Sequence, residues 1–230
     1  MSSTPLKVMT SLATKEFLVE YLAHYQATSG QAVAYENAGG VEIAKRARAS
    51  EAFDVVVLAS GVIDALIAEG KLVAGSKVDV VKSSVAIAVP AGAARPDVGT
   101  EEALKRAILT APSVCYSTGP SGAYLEKLFA QWGIAEAIKA KLVVAPPGVP
   151  VGSLLASGKA ALGFQQLSEL IHMAGIEVLG PLPPAIQLIT TFSAGISTTC
   201  RQVEPAQKLL AGMASAEAAP AKRKHGLEPA

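Results

Sequence analysis

"FDVVVLASGVIDALIAEG", residues 53–70, opens on an unbroken apolar run and then changes period. Val55, Val56, Val57 and Leu58 do not alternate with polar residues, which is the pattern of a strand covered on both faces. Ile63, Leu66 and Ile67 recur at helical spacing, and Gly70 closes that helix. Ala59, Ser60 and Gly61 join the two. Strand, short loop and helix together are the repeating unit of an α/β fold with a buried, largely parallel sheet.

The unit recurs in both directions. Upstream, "LKVMT" is an apolar strand followed by Leu18, Tyr21, Leu22 and Tyr25 on one helix face. "QAVAYE" is a strand followed by a helix over about 41–49. Downstream, "SSVAIAVP" is a fourth strand, stopped by Pro90 and Gly92. A second series begins near Thr100: a helix face of Leu104, Ala107 and Ile108, then the strand "SVCYS". A helix face of Leu125, Leu128, Phe129 and Trp132 follows, then "KLVVA", a helix over 151–157 and "AALGFQ". Gly163 inside that last strand marks a close backbone approach. After "IEVLG" and the turn "GPLPPA", the run "QLITTFSAGI" reads as a long returning strand. Ala206, Leu209, Leu210 and Met213 give a closing helix. The order predicts two α/β lobes, residues 1–83 with 194–230 and residues 84–193. The chain crosses near 84–90 and recrosses near 187–196, and a ligand is expected in the cleft at the junction.

Composition fits this reading. The chain has 230 residues, 50% hydrophobic and 17% charged, so core-forming side chains are plentiful. A net charge of +1 and the lack of any nucleic-acid motif argue against a nucleic-acid partner. Lys222, Arg223 and Lys224 read as the last turn of a helix closed by Gly226, where cations complement the dipole. Cys115 and Cys200 lie far apart and are read as free thiols. His24, His172 and His225 show no metal spacing, so neither a metal nor a cofactor is expected. No segment is apolar for long enough to span a membrane, and a strand stands where a signal peptide would be. The compartment is periplasmic if a leader has been removed and cytoplasmic otherwise.

Five strand-to-helix loops share one character. They are Thr10–Ser11–Leu12, Asn37–Ala38–Gly39–Gly40, Ala59–Ser60–Gly61, Ser117–Thr118–Gly119–Pro120–Ser121–Gly122 and Pro146–Pro147–Gly148–Val149–Pro150. In open α/β sheets ligands sit beyond the carboxyl ends of the strands. Helix-start N–H groups, the positive dipole end and nearby hydroxyls suit an anion. Lysine and arginine are absent from all five loops, which leaves dipoles and hydroxyls as the donors. Serine, threonine, asparagine and glycine are also ordinary capping and turn residues, which accounts for any one loop alone. "GPSG" lacks the Gly-Lys-Ser/Thr ending of a nucleotide-phosphate loop.

Taken in order, "LKVMTSLATKEF", "NAGGVEIAKRA", "FDVVVLASGVIDALIAEGKLV", "YSTGPSGAYLEKLFAQWGI", "LLASGKAALGFQQLSEL" and "GPLPPAIQLITTFSAGI" resemble the molybdate-binding-protein-like branch of the type 2 periplasmic solute-binding proteins. The resemblance covers nearly the whole chain. It implies a two-lobed α/β fold with mixed sheets and helices on both faces, closing over a small anion, and a membrane permease as partner if the protein serves transport. A monomer is expected. In molybdate binders serine hydroxyls and main-chain amides from these loops hold the oxyanion. Carried over, Ser11, the loop Ser117 to Gly122, and Val149, Pro150 and Val151 take those places. Two positions depart from the pattern: Ala38, Gly39 and Gly40 stand where a serine is usual, and Gln165 and Gln166 where a tyrosine is usual. These changes imply a larger anion, an organic di- or tricarboxylate.

The same branch resembles an enzyme, aconitate isomerase, built on this fold. Moving an aconitate double bond requires a base for an allylic proton. Tyr116, Lys15, Glu42 and Glu169 are the candidates, and the sequence does not choose among them.

Overall fold

The computed structural model describes residues 4–230. In chain order its elements are β1 (Leu6–Ser11), α1 (Lys15–Ser29), β2 (Val33–Ala38), α2 (Gly40–Arg48), β3 (Val55–Ala59), α3 (Ser60–Ala68), β4 (Val78–Pro90), α4 (Glu101–Thr110), β5 (Val114–Ser117) and α5 (Pro120–Gln131). Then come α6 (Ala135–Ile138), β6 (Leu142–Ala145), α7 (Val151–Ala156), β7 (Leu162–Gln166), α8 (Leu167–Leu170), β8 (Ile176–Pro181), β9 (Ile189–Ile196), α9 (Val203–Ala214), α10 (Ala219–Lys224) and β10 (Glu228–Pro229). The α/β class expected from the repeated unit is the class observed. The chain divides into two compact units, Met1–Ser83 with Thr190–Ala230, and Ser84–Ile189. The first part of β4 lies in unit 1 and the rest in unit 2.

In unit 1 the strand order is β2-β1-β3-β9-β4, with β10 also pairing β4. β1 is parallel to β2 and β3, and β9 returns antiparallel against β3. Side chains alternate across this sheet, yet both faces are dry. Val8, Val55 and Val57 join Phe17, Leu18 and Leu22 of α1 and Leu209 and Met213 of α9. Met9, Val56 and Leu58 turn the other way, onto Ile43 of α2 and Ile63 and Leu66 of α3. Two covered faces are why residues 55–58 show no polar alternation.

In unit 2, β5 is parallel to β6 and β7, while β4 runs antiparallel to β7 and β8. Val85, Ile87, Tyr116 and Phe164 pack with Leu104 of α4 and Leu125 and Phe129 of α5. Ala86, Ala88 and Cys115 face Val151 and Leu155 of α7. Gly163 allows that second contact, because a Cβ there would lie 2.7 Å from Leu155 Cδ1 and 2.8 Å from Val151 Cγ1. The close approach expected at Gly163 is therefore present.

Two details differ from the sequence reading. The fourth strand starts at Val78 rather than near Ser83, because polar Asp79, Lys82 and Ser83 obscured its pattern. The tail is not helical to its end: β10 pairs antiparallel with Val81 and Lys82.

Candidate functional site

Unit 1 gathers its loops at the carboxyl ends of β1, β2 and β3. Ser11 ends β1 in register with Ala38, which ends β2. Ser11 is only 5% exposed, yet its hydroxyl has no hydrogen-bond partner. It does not cap the short 3-10 turn that follows it. Burying a hydroxyl without a partner costs about 1–3 kcal/mol, and in native proteins such a group is a rare exception that calls for a reason. The start of α2 lies directly against it, since a Cβ on Gly40 would sit 3.7 Å from Ser11 Cβ. Gly39 and Ala59 are the residues on which α2 and α3 begin, and neither helix has a side-chain cap. Their first N–H groups, with the half-buried Ser60 at the start of α3, are thus unspent by local side chains. Thr10 behaves differently. It is fully buried, and its Oγ1 lies 2.5 Å from Thr14 Oγ1, so its hydroxyl fastens the first turn internally. Thr14 is a partner that sequence reasoning missed, four residues from Thr10 across the strand end and the 3-10 turn.

Unit 2 assembles its set at the ends of β5, β6 and β7. Ser117 ends β5, and its hydroxyl has long contacts, 3.4 Å each, with Ser121 Oγ and the Gly119 N–H. α5 starts on Gly119 without a side-chain cap and carries Pro120 in its first turn, where the missing N–H is not needed. Thr118 is exposed and Ser121 is buried. Gly122 fixes the loop: a Cβ there would lie 1.6 Å from the Ser117 carbonyl oxygen. By contrast α4, elsewhere in unit 2, begins with Thr100 accepting from the Ala103 N–H in the ordinary way.

Val149 and Pro150 lead into α7, but the first N–H of that helix is taken. The Val151 N–H donates to Gln165 Oε1 at 2.9 Å. That bond fixes which end of the Gln165 amide is which, and its Nε2 donates to Glu169 Oε2 at 2.5 Å. Gln165 and Gln166 are each 2% exposed. So Val151 and Gln165, separate in sequence, are brought together and bonded to each other. Burial pushes the half-buried Glu169 carboxyl up to about 7.

The other three candidate bases are placed less favourably. The Tyr116 phenol is buried, donates to Glu126 Oε1 and is pushed up to about 12 by burial. Lys15 pairs with Glu16 at the surface. Glu42 is exposed. Among the described residues, no group of three His, Cys, Asp or Glu side chains is placed to hold a metal ion, and no helix is long and apolar enough to cross a membrane.

Residues 6–228 match the bacterial extracellular solute-binding protein family. The chain belongs to that family. Among relatives of this solute-binding protein is an aconitate isomerase from a Pseudomonas species, 36% identical over 214 residues, or 86% of this chain and 81% of the relative. The periplasmic molybdate-binding protein of Azotobacter vinelandii has the same fold, with a TM-score of 0.77 at 19% identity, covering 96% of this chain and 98% of that one. A periplasmic binding protein from A. tumefaciens R10, solved in complex with agropinic acid, matches with a TM-score of 0.73 at 13% identity, covering 99% and 84%. The expected resemblance to molybdate-binding-like type 2 proteins therefore holds at the level of fold.

Proposed function

We propose that this solute-binding protein binds a small organic di- or tricarboxylate, with aconitate as the first candidate. The observation that carries the reading is the buried, unpartnered Ser11 hydroxyl beside the uncapped start of α2. A donor kept dry and unspent gains a full charge-assisted hydrogen bond when an anion arrives, about 1.5–3 kcal/mol. Gly40 lets the α2 backbone lie close against it, a Cβ there being in contact with Ser11 at 3.7 Å. In unit 2, Ser117 and the start of α5 are the corresponding donors. The fold does not choose the anion, since neighbours of the same fold are named for molybdate and for agropinic acid. The choice of carboxylate rests on Gly39 and Gly40, which offer no hydroxyl, and on the aconitate isomerase relative, since the structure ties the Gln165 amide to Val151 and Glu169 instead of leaving it for a ligand. As a transport receptor the protein would deliver this ligand to a membrane permease.

A second reading is favoured by that same relative and by Glu169: the chain isomerises an unsaturated tricarboxylate such as aconitate. The two readings share the ligand and differ in turnover. Calorimetric titration with cis-aconitate, trans-aconitate, citrate and molybdate at one pH and salt tests the first. Saturable binding of a carboxylate with weaker molybdate binding is expected, and submicromolar molybdate binding with no carboxylate response would sink it. Proton NMR of the same mixtures over hours tests the second, by the interconversion of the two aconitates.

A further inference from the structure

We propose that Glu169, held by Gln165 and through it by the Val151 N–H, is the acid–base group that carries the allylic proton. The inference rests on the isomerase reading above. Its geometry is contained within unit 2. β7 is parallel to β5, with Tyr116 opposite Phe164, so Gln165 lies one residue on, beside Ser117 at the same carboxyl edge. α8 turns off directly from that edge and places Glu169 four residues after Gln165, on the amide that the α7 start has oriented. The carboxyl is thus fixed at one oxygen by Gln165 Nε2.

Its surroundings favour proton exchange. α8 packs against α7, β7 and β8. Neither α7 nor β7 carries an ionisable residue, and the one in β8, Glu177, pairs with Arg95. His172 follows just beyond α8. Burial alone raises the carboxyl to about 7, so both its forms are populated at neutral pH. The reaction then needs one group and no co-reactant. The Glu169 carboxylate takes a proton from the substrate methylene carbon, and the broken C–H pair becomes the new C=C bond. The old C=C pair passes to the far vinylic carbon, which takes the proton back from the Glu169 carboxylic acid. The carboxyl ends as it began, and the double bond has moved by one carbon.

The test uses the full chain with cis-aconitate, following trans-aconitate by proton NMR and affinity by calorimetry. Wild type should turn over with kcat/KM rising through about pH 7. Glu169→Gln preserves the bond to Gln165 in size and should bind the ligand within a few-fold of wild type while losing about 10²–10⁴ in rate. Gln165→Met removes an N–H that favours the ionised form, so the rise should move to higher pH. Wild-type turnover retained in Glu169→Gln, or a wild-type profile flat across pH 6–8, overturns the role of Glu169 and leaves the isomerase reading standing. Aconitate binding without any wild-type turnover overturns the isomerase reading, and the role of Glu169 falls with it.

Discussion

The strand ends of the two units use similar residues in different ways. Unit 1 offers Ser11, Gly39, Gly40 and Ser60 around two uncapped helix starts, with one hydroxyl buried and unpartnered. Unit 2 offers Ser117, Gly119 and Ser121, but it also ties its α7 start to Gln165 and Glu169 in a closed network that ends on an ionisable group. Unit 1 therefore has unspent donors and no titrating group in its set, whereas unit 2 has donors partly spent on its own loop and an acid. Binding strength is expected to come chiefly from the first and pH dependence from the second.

The largest effect should come from Gly122→Ala. Its Cβ would overlap the Ser117 carbonyl, which is backbone and cannot swing aside. A loss of about 3 kcal/mol or more is expected, read as a fall in thermal midpoint with loss of ligand response. A variant as stable as wild type would show that the unit 2 loop is not fixed by this contact.

Ser11→Ala separates stability from binding. Removing a buried hydroxyl with no partner should leave the free protein as stable or up to about 1 kcal/mol more stable. The same change should weaken carboxylate binding by about 1.5–3 kcal/mol, roughly ten- to a hundredfold or more. Denaturant unfolding and calorimetry on one preparation check both signs. Unchanged affinity would remove the basis for assigning binding strength to unit 1.

Glu169 sharpens the contrast through pH. Its folded value of about 7 stands above the ordinary carboxylate value of 4.5, so the folded state holds the proton over that window and the unfolded state does not. Stability from this group is present below about pH 4.5, is lost as pH rises toward 7, and does not change further above it. The difference is on the order of 3 kcal/mol. Glu169→Gln should flatten that part of the stability–pH curve, while Ser11→Ala should leave its shape alone. Parallel curves for wild type and Glu169→Gln would contradict the raised value.

Gly40→Ala should have the smallest effect and the opposite sign to Gly122→Ala. A Cβ at Gly40 meets only ordinary contacts, at 3.7 and 3.8 Å. The fold should gain about 0.4–1 kcal/mol from reduced unfolded-chain freedom. A lower affinity for a bulky carboxylate than for molybdate in that variant would show that the ligand approaches the backbone at Gly40 beside Ser11. Equal retention of both would show that it does not.

Most of the fold was legible in the sequence. The unalternating run 55–58 followed by Ile63, Leu66 and Ile67 identified a buried βα unit, because a strand covered on both faces has no position at which a polar residue is favoured. Gly163 announced a close helix contact for a similarly local reason. The loops rich in serine and glycine were legible as residue types, but their roles were not. Thr10 and Ser11 are adjacent, and the sequence cannot say that one spends its hydroxyl on Thr14 while the other leaves its own unpartnered. A strand turns successive side chains to opposite faces, and what each face meets is supplied by distant chain. The same holds for Val151, Gln165 and Glu169. Each was visible as a candidate, but their chain of hydrogen bonds exists only because parallel β5, β6 and β7 bring two loop ends together. Apolar periodicity is a property of neighbours along the chain and so can be read from it. Hydrogen-bond partners and desolvation depend on what the fold brings close, and only the tertiary structure decided those.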